Sequence, residues 1–382
     1  MPDLLTFALK GFSVAFVASL LLTPLCIRAA GLLGVVDKPG GRKQHGRVTP
    51  LFGGVAVFLA CGIGLAVILQ QAGQRTDIDL RFGDISQVLW GALVLFVIGL
   101  VDDIFKDSLG FLPKLVGQVI GVVVLTWPQP KILFSGGGTG LQWVYFVFLL
   151  LWYLTIVNSF NFSDNMNGLM GGLAVIAFAA SVVYLGSQES LRSMIVASLL
   201  VGGLLGFLPY NFPRSRIFLG DTGSMFVGYW MAWVMFSNAR GFLEAGAHDF
   251  GINNLIPAVL IMGVPLYDAA YVVVRRVVEG RTIYLGDDRH LSHRLVRGGF
   301  SQVEAVVMLW GLGIVLAGVG ILAAFSVPLY RYLLLGASFL LLVAVTMVVM
   351  ALERGEVARE GGGDDADHDE DRGALTGASG QD

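Results

Sequence analysis

The sequence predicts an all-α, polytopic membrane protein, and three observations predict it. Charged residues make up only 14% of the 382 residues, where a soluble domain carries about 25%. Mean hydropathy is +0.74, which leaves too little polar surface to cover a water-soluble globule. The apolar runs are long and continuous, not alternating. That pattern selects helices over a barrel, the two structures that satisfy their own backbone inside lipid.

A helix crosses the hydrocarbon with roughly 20 apolar residues. At that length about 11 spans are expected, over 4–28, 51–71, 86–105, 111–128, 141–160, 166–186, 193–211, 222–238, 253–276, 302–326 and 330–352. The first has no basic stretch before it and is followed directly by Arg28, so it reads as a retained span with its N-terminus outside. Span four is interrupted by Lys114 and Gln118, and spans six and eight are rich in glycine. Cys26 and Cys61 lie in apolar runs and offer neither metal-type spacing nor a disulfide framework.

Basic residues concentrate after the odd-numbered spans: Arg28, Lys38, Arg42, Lys43, Arg47, Lys106, Lys114, Arg214, Arg216 and a cluster from Arg275 to Arg297. The opposite loops hold Arg75, Arg81, Lys131, Arg192 and Arg240. Positive residues stay inside, so the odd-numbered loops and the C-terminus are expected in the cytoplasm. Two units follow: a membrane-embedded domain over 1–352 with five cytoplasmic loops, and an acidic tail over 353–382. The tail contains Glu360-Gly-Gly-Gly-Asp-Asp-Ala-Asp-His-Asp-Glu-Asp371. It has nothing apolar to bury and reads as disordered.

Every segment with chemical character falls in those five loops. The first reads Asp37-Lys-Pro-Gly-Gly-Arg-Lys-Gln-His-Gly-Arg-Val-Thr-Pro50. Its bases serve as membrane anchors, while its prolines and glycines ask for a defined loop entering span two. Span three ends Gly99-Leu-Val-Asp-Asp-Ile-Phe-Lys-Asp107. Carboxylates at a membrane helix end need water, a cation or a partner. Neighbouring helical residues diverge by about 100°, so Asp102 and Asp103 cannot both face one ligand. One is free to hold a metal or accept a proton while the other orients a neighbour; a solvated helix end is the bland alternative.

After span five comes Asn158-Ser-Phe-Asn-Phe-Ser-Asp-Asn-Met-Asn-Gly168. One Asn or Asp suffices to cap span six; Asn158, Asn161, Asp164, Asn165 and Asn167 exceed that need. After span seven, Phe218-Leu-Gly-Asp-Thr-Gly-Ser224 offers Asp221 as a cap for span eight. Gly220 and Gly223 would also leave its carboxylate and the nearby N–H groups open to a ligand. Helix N-termini attract phosphate, and an Asp there carries Mg²⁺ that bridges phosphates. The fifth loop contains Asp287-Asp-Arg-His-Leu-Ser-His-Arg294. His290 and His293 share a helical face, and with Arg289 and Arg294 they form an anion site. A two-His metal site lacks a third ligand nearby, and lipid anchoring is the bland alternative. Acids for Mg²⁺, bases for phosphate and a membrane scaffold are together what phosphoryl transfer from a soluble nucleotide to a lipid phosphate needs.

In these motifs and in their order, from about residue 34 to about 300, the sequence resembles the polyprenyl-phosphate N-acetylhexosamine-1-phosphate transferases of glycosyltransferase family 4. The resemblance implies a UDP-N-acetylhexosamine donor, a polyprenyl (undecaprenyl) phosphate acceptor and release of UMP. It also implies a cytoplasmic Mg²⁺ site (Mn²⁺ as the substitute ion), a homodimer in the lipid bilayer of a bacterial plasma membrane, and no nucleic-acid partner. Products of such enzymes start O-antigen, lipopolysaccharide and other cell-envelope glycans.

By the same resemblance, Asp102 and Asp103 match the paired aspartates, one of which activates the lipid phosphate. Asp164 with Asn158 and Asn161 matches the loop around the active centre, and Asp221 the Mg²⁺ ligand. Phe218 matches the aromatic near the uracil and Asn211 a nucleotide-pocket asparagine. Lys43 and His45 match the first-loop basic motif, and His290, His293 and Arg294 the loop that holds the sugar nucleotide. The chain departs from the family at Asn165 and Asn167, where Gly and Asp are usual, and at Ser292, where a His is usual. The fifth loop favours a UDP-GlcNAc enzyme over a MurNAc-pentapeptide transferase making lipid I. A transporter of anionic lipid or nucleotide is the alternative from another class. It is disfavoured because transporters place charge near the bilayer midplane, whereas these acids sit at helix ends.

Overall fold

The computed structural model describes residues 2–38, 48–73, 82–105, 110–126, 139–187, 191–238, 253, 255–282 and 289–376. Side chains are described over those ranges except at 2–4, 82–84, 139–142, 185–187, 191 and 356–376. The helices are α1 (Pro2–Leu33), α2 (Gly53–Ala72), α3 (Phe82–Ile104), α4 (Phe111–Thr126), α5 (Thr139–Ser163), α6 (Leu169–Ser187), α7 (Leu191–Asn211) and α8 (Gly220–Asn238). They continue with α9 (Leu255–Ile261), α10 (Gly263–Val278), α11 (Leu291–Arg297), α12 (Gln302–Ala324) and α13 (Pro328–Thr376).

All eleven expected spans coincide with helix, the ninth as the pair α9 and α10, bent by 82°. By length and apolar character, the described residues contain seven helices able to cross a membrane, or eight counting that pair. α4 and α6 are shorter apolar helices. The chain is thus an all-α membrane protein, and eleven is a finer count than length and composition support. α8 has a reason to look unlike a lipid-facing span. It is the central helix, buried from Thr222 to Met235 except at Trp233, with α2, α3, α5, α6 and α7 packed around it. A helix covered on all sides has no lipid face to keep uniformly apolar.

Besides a small cluster at Ile256, Leu260 and Ala323, two main apolar cores result. The larger surrounds α8 and includes Phe160, Phe207, Tyr229 and Met231. The smaller joins α6, α11, α12 and α13 through Leu173, Leu291, Leu295, Leu309 and Val349. Outer faces carry exposed Leu21, Leu25, Leu151 and Leu340, as lipid contact requires.

The first loop is better defined than anchoring demands. Val36–Asp37 (β1) pairs antiparallel with Thr49–Pro50 (β2), Val36 opposite Pro50. This ribbon is strapped to the chain before α8: the Phe218 N–H donates to Pro50 O at 2.8 Å, and the Gly53 and Gly54 N–H groups donate to Phe218 O and Leu219 O. Lys43 and His45 lie outside the described residues. Of the expected acidic tail, residues 377–382 also lie outside; the α13 backbone runs to Thr376, and no side chain after Gly355 is described.

Candidate active site

The C-terminal end of α3 meets the N-terminal end of α8. Gly99 lets the two backbones touch, because a Cβ there would run into the carbonyl of Asp221. Gly220 starts α8 with φ +73°, a conformation that favours glycine, and a Cβ there would strike the Asp103 carboxylate. At this junction the paired aspartates separate. Asp103 is buried and accepts the N–H groups of Asp221 and Thr222, both at 3.0 Å, and the Thr222 hydroxyl at 2.5 Å. It replaces the missing N-cap of α8 and sets a negative charge against the positive end of the helix. Those N–H groups are therefore not open to a ligand, which corrects the reading of the α8 N-terminus as a free phosphate cradle.

Asp102 faces the other way. Its Oδ2 lies 2.6 Å from Lys114 Nζ on α4, and the same ammonium pairs with Asp221. The second oxygen of Asp102 is buried, with no hydrogen-bond partner among the described residues. The Asp221 Oδ1 accepts a hydrogen bond from Asn161 Nδ2 at 2.8 Å, and Asn161 also donates to Ser224 Oγ at 2.8 Å. Asp164 stands in the turn between α5 and α6. Its carboxyl is pushed up to about 8, by burial first and then by the charges of Asp221 and Asp103, with the Gly220 N–H opposing the shift.

The stretch 161–165 joins this acidic junction to the histidine loop. Asn161 holds Asp221, the Phe162 ring lies 6.2 Å from the His290 ring, and Asn165 Oδ1 accepts a 2.8 Å hydrogen bond from Ser292 Oγ. Two of the three family departures, Asn165 and Ser292, are thus bonded to each other. The Arg276 guanidinium also lies over Phe162, 5.6 Å from its centroid.

α11 carries His293, follows directly on His290, and is held at both ends. At its start, Asp268 of α10 accepts the Leu291 N–H at 2.8 Å and lies 2.6 Å from His290 Nδ1. At its end, Glu353 of α13 pairs with Arg294 at 3.2 Å and with Arg297 Nε at 2.6 Å. Arg294 is buried, also donates to the Arg289 carbonyl, and lies over the Tyr271 ring. Its guanidinium serves α11 packing more than an open anion site. The His293 ring lies 6.2 Å from that of His290.

Three other expected residues act as braces. Asn158 Nδ2 donates to Gln118 Oε1 at 2.8 Å and to Leu154 O at 2.7 Å. Buried Asn211 accepts the Gly168 N–H at 2.7 Å and donates to Ile217 O at 2.9 Å. Phe218 is half-buried, its backbone paired with the first-loop ribbon. Three residues carry contacts here that the sequence does not mark as part of the site: Lys114, Asp268 and Glu353. Asp268 had a visible signal, a lone acid inside an apolar run, which marks function or a buried partner.

The donor set suits a hard cation. The Lys114 ammonium between Asp102 and Asp221 marks a place where positive charge is favoured, and the unpartnered Asp102 Oδ1 offers a ligand. Among the described residues, no three His, Cys, Asp or Glu surround one metal position. Mg²⁺ needs only one or two carboxylates from a protein and completes its shell with water and substrate phosphates.

Comparison with known proteins agrees in its own terms. A model of glycosyl transferase family 4 matches residues 85–238. A probable undecaprenyl-phosphate N-acetylglucosaminyl 1-phosphate transferase of Bacillus subtilis is 30% identical over 310 residues, 79% of this chain and 82% of that protein. The decaprenyl-phosphate N-acetylglucosaminephosphotransferase of Mycobacterium tuberculosis is 31% identical over 372 residues, 91% of this chain and 90% of that protein. The undecaprenyl-phosphate alpha-N-acetylglucosaminyl 1-phosphate transferase of Escherichia coli is 27% identical over 311 residues, 78% of this chain and 79% of that protein.

Proposed function

The chain belongs to glycosyl transferase family 4, the polyprenyl-phosphate N-acetylhexosamine-1-phosphate transferases, and on that premise we propose that it moves GlcNAc-1-phosphate from UDP-GlcNAc to undecaprenyl phosphate. A phosphate oxygen of the lipid becomes bonded to the phosphorus nearest the sugar. The bond from that phosphorus to the bridging oxygen breaks, and UMP leaves with the electron pair. The product is a polyprenyl-diphosphate sugar, made in a bacterial plasma membrane by an eleven-span chain whose site faces the cytoplasm.

The observation that carries this reading is the single ammonium shared by Asp102 and Asp221 beside an unpartnered Asp102 oxygen. Asp102 and Asp221 would hold Mg²⁺, and the ion would supply positive charge to neutralise the diphosphate. Lys114 adds a second positive group at the same place. Asp103 keeps Asp221 at the start of α8, and Asn161 sets the rotamer of Asp221. Asp164 holds a proton near neutral pH, which limits the negative charge facing an anionic donor. His290 and His293 bind the sugar nucleotide.

The test uses purified protein in detergent with Mg²⁺, undecaprenyl phosphate and a panel of UDP-sugars, and reads UMP. Release with UDP-GlcNAc that requires the lipid phosphate is the expected result. No UMP with any UDP-N-acetylhexosamine refutes the proposal.

A further inference from the structure

Asp268 belongs to no element of the mechanism above, yet it is the most committed acid of the second region. It sits in α10, only 6% exposed, within the bent α9–α10 pair. A carboxylate in such a place is retained only with partners, and its two oxygens have different ones. Oδ1 takes the Leu291 N–H at 2.8 Å, the first amide of α11. Oδ2 takes His290 Nδ1 at 2.6 Å. A carboxylate only accepts, so Nδ1 must carry the ring proton. His290 Nε2 then has no hydrogen-bond partner among the described residues. The ring is 4% exposed, bounded by Phe162 and His293, so it has little freedom to turn.

We propose that Asp268 is a positioning residue that fixes His290 as the Nδ1–H form and so reserves Nε2 for the sugar nucleotide. The inference rests on the reading of His290 as a nucleotide-sugar ligand. One carboxylate performs two tasks here: it places the start of α11 and selects which nitrogen faces the ligand. Glu353 does only the first kind of work, from the other end of the same helix. The two acids are therefore separable by experiment.

Asp268→Asn discriminates sharply because of the split between the oxygens. The Asn carbonyl oxygen keeps the Leu291 N–H, which directs the amide NH₂ at His290 Nδ1. Two donors cannot face each other, so the ring proton must move to Nε2. The helix start survives while the ring presents the wrong nitrogen.

The full chain in detergent is assayed as wild type, Asp268→Asn and Glu353→Gln, with kcat and KM for UDP-GlcNAc read from UMP release. Nitrogen NMR on histidine-labelled protein reads the ring proton; the chain has five histidines, and His290→Gln assigns the signal. The expected result is Nδ1–H in the wild type and Nε2–H in Asp268→Asn. The asparagine variant should lose about 10- to 100-fold in kcat/KM at an unchanged thermal midpoint, and Glu353→Gln only about 3-fold. An Nε2–H ring in the wild type overturns the proposal, and needs no variant to fold. So does wild-type kcat/KM in Asp268→Asn, or an equal loss in both variants with the ring proton unmoved. If the wild type releases no UMP, the functional reading fails separately and the ring proton alone decides the role of Asp268.

Discussion

At the α3–α8 junction, Asp102, Asp103 and Asp221 share one ammonium and one helix terminus. Around α11 each acid has its own partners: Asp268 of α10 meets His290, and Glu353 of α13 meets Arg294 and Arg297. The first region keeps a buried oxygen without a partner and an Asp164 carboxyl pushed up to about 8. The second directs its carboxylates onto cations and backbone. Unspent negative charge suits a place where a cation and a transferring phosphate arrive together. Compensated charge suits a wall that must hold its shape while a ligand binds. The stretch Asn161–Asn165 touches both and so ties the two regions together.

The comparison breaks most visibly at Asp221. Asp221→Ala should lower UMP release by about a thousandfold or more. Asp102→Asn should lose about a hundredfold with little change in thermal midpoint, since Asp102 meets Lys114 and Asp221 within the site and caps no helix. Equal activity of either variant and wild type would remove that residue from the reaction.

Asp103→Ala sharpens the contrast within the acidic pair. It should destabilise the fold by about 2–3 kcal/mol, because two amide N–H groups and a hydroxyl lose their acceptor. A thermal scan that separates Asp103→Ala from Asp102→Asn supports the division of roles; coincident midpoints oppose it.

A smaller effect concerns pH. The Asp164 carboxyl moves from 3.8 unfolded to about 8 folded. The native state then holds the extra proton, so stability is full below pH 4 for this group and falls as pH rises to about 8. Asp164→Asn should flatten that slope in thermal midpoints measured across the range. A parallel slope in both proteins contradicts the assignment. Smallest of all is removal of residues 356–382. It spares Glu353 and hence the clasp on α11, so turnover should stay within about twofold.

Much of this was legible in the sequence, for physical reasons that differ by region. Continuous apolar runs announce helices because lipid leaves the backbone no other partner. The divergence of adjacent helical residues announced that Asp102 and Asp103 would part company. Which of them would part which way was hidden, because the answer depends on Gly99 and Gly220 letting α3 and α8 meet across 118 residues. Asn165 and Ser292 were each conspicuous, but their bond spans 127 residues and has no local trace. Lys114 looked like an interruption of a span because its two carboxylate partners come from other helices. Asp268 was the readable residue that went unread, a single acid in an apolar helix.

The central claim is that this chain transfers a sugar together with its phosphate. UDP-GlcNAc carrying radioactive phosphorus in the phosphate nearest the sugar tests it most directly, with undecaprenyl phosphate and Mg²⁺ as the other components. The account predicts label in the lipid phase with wild-type protein and none with Asp221→Ala. Label that remains in water as UDP would mean transfer of the sugar alone, and would contradict it.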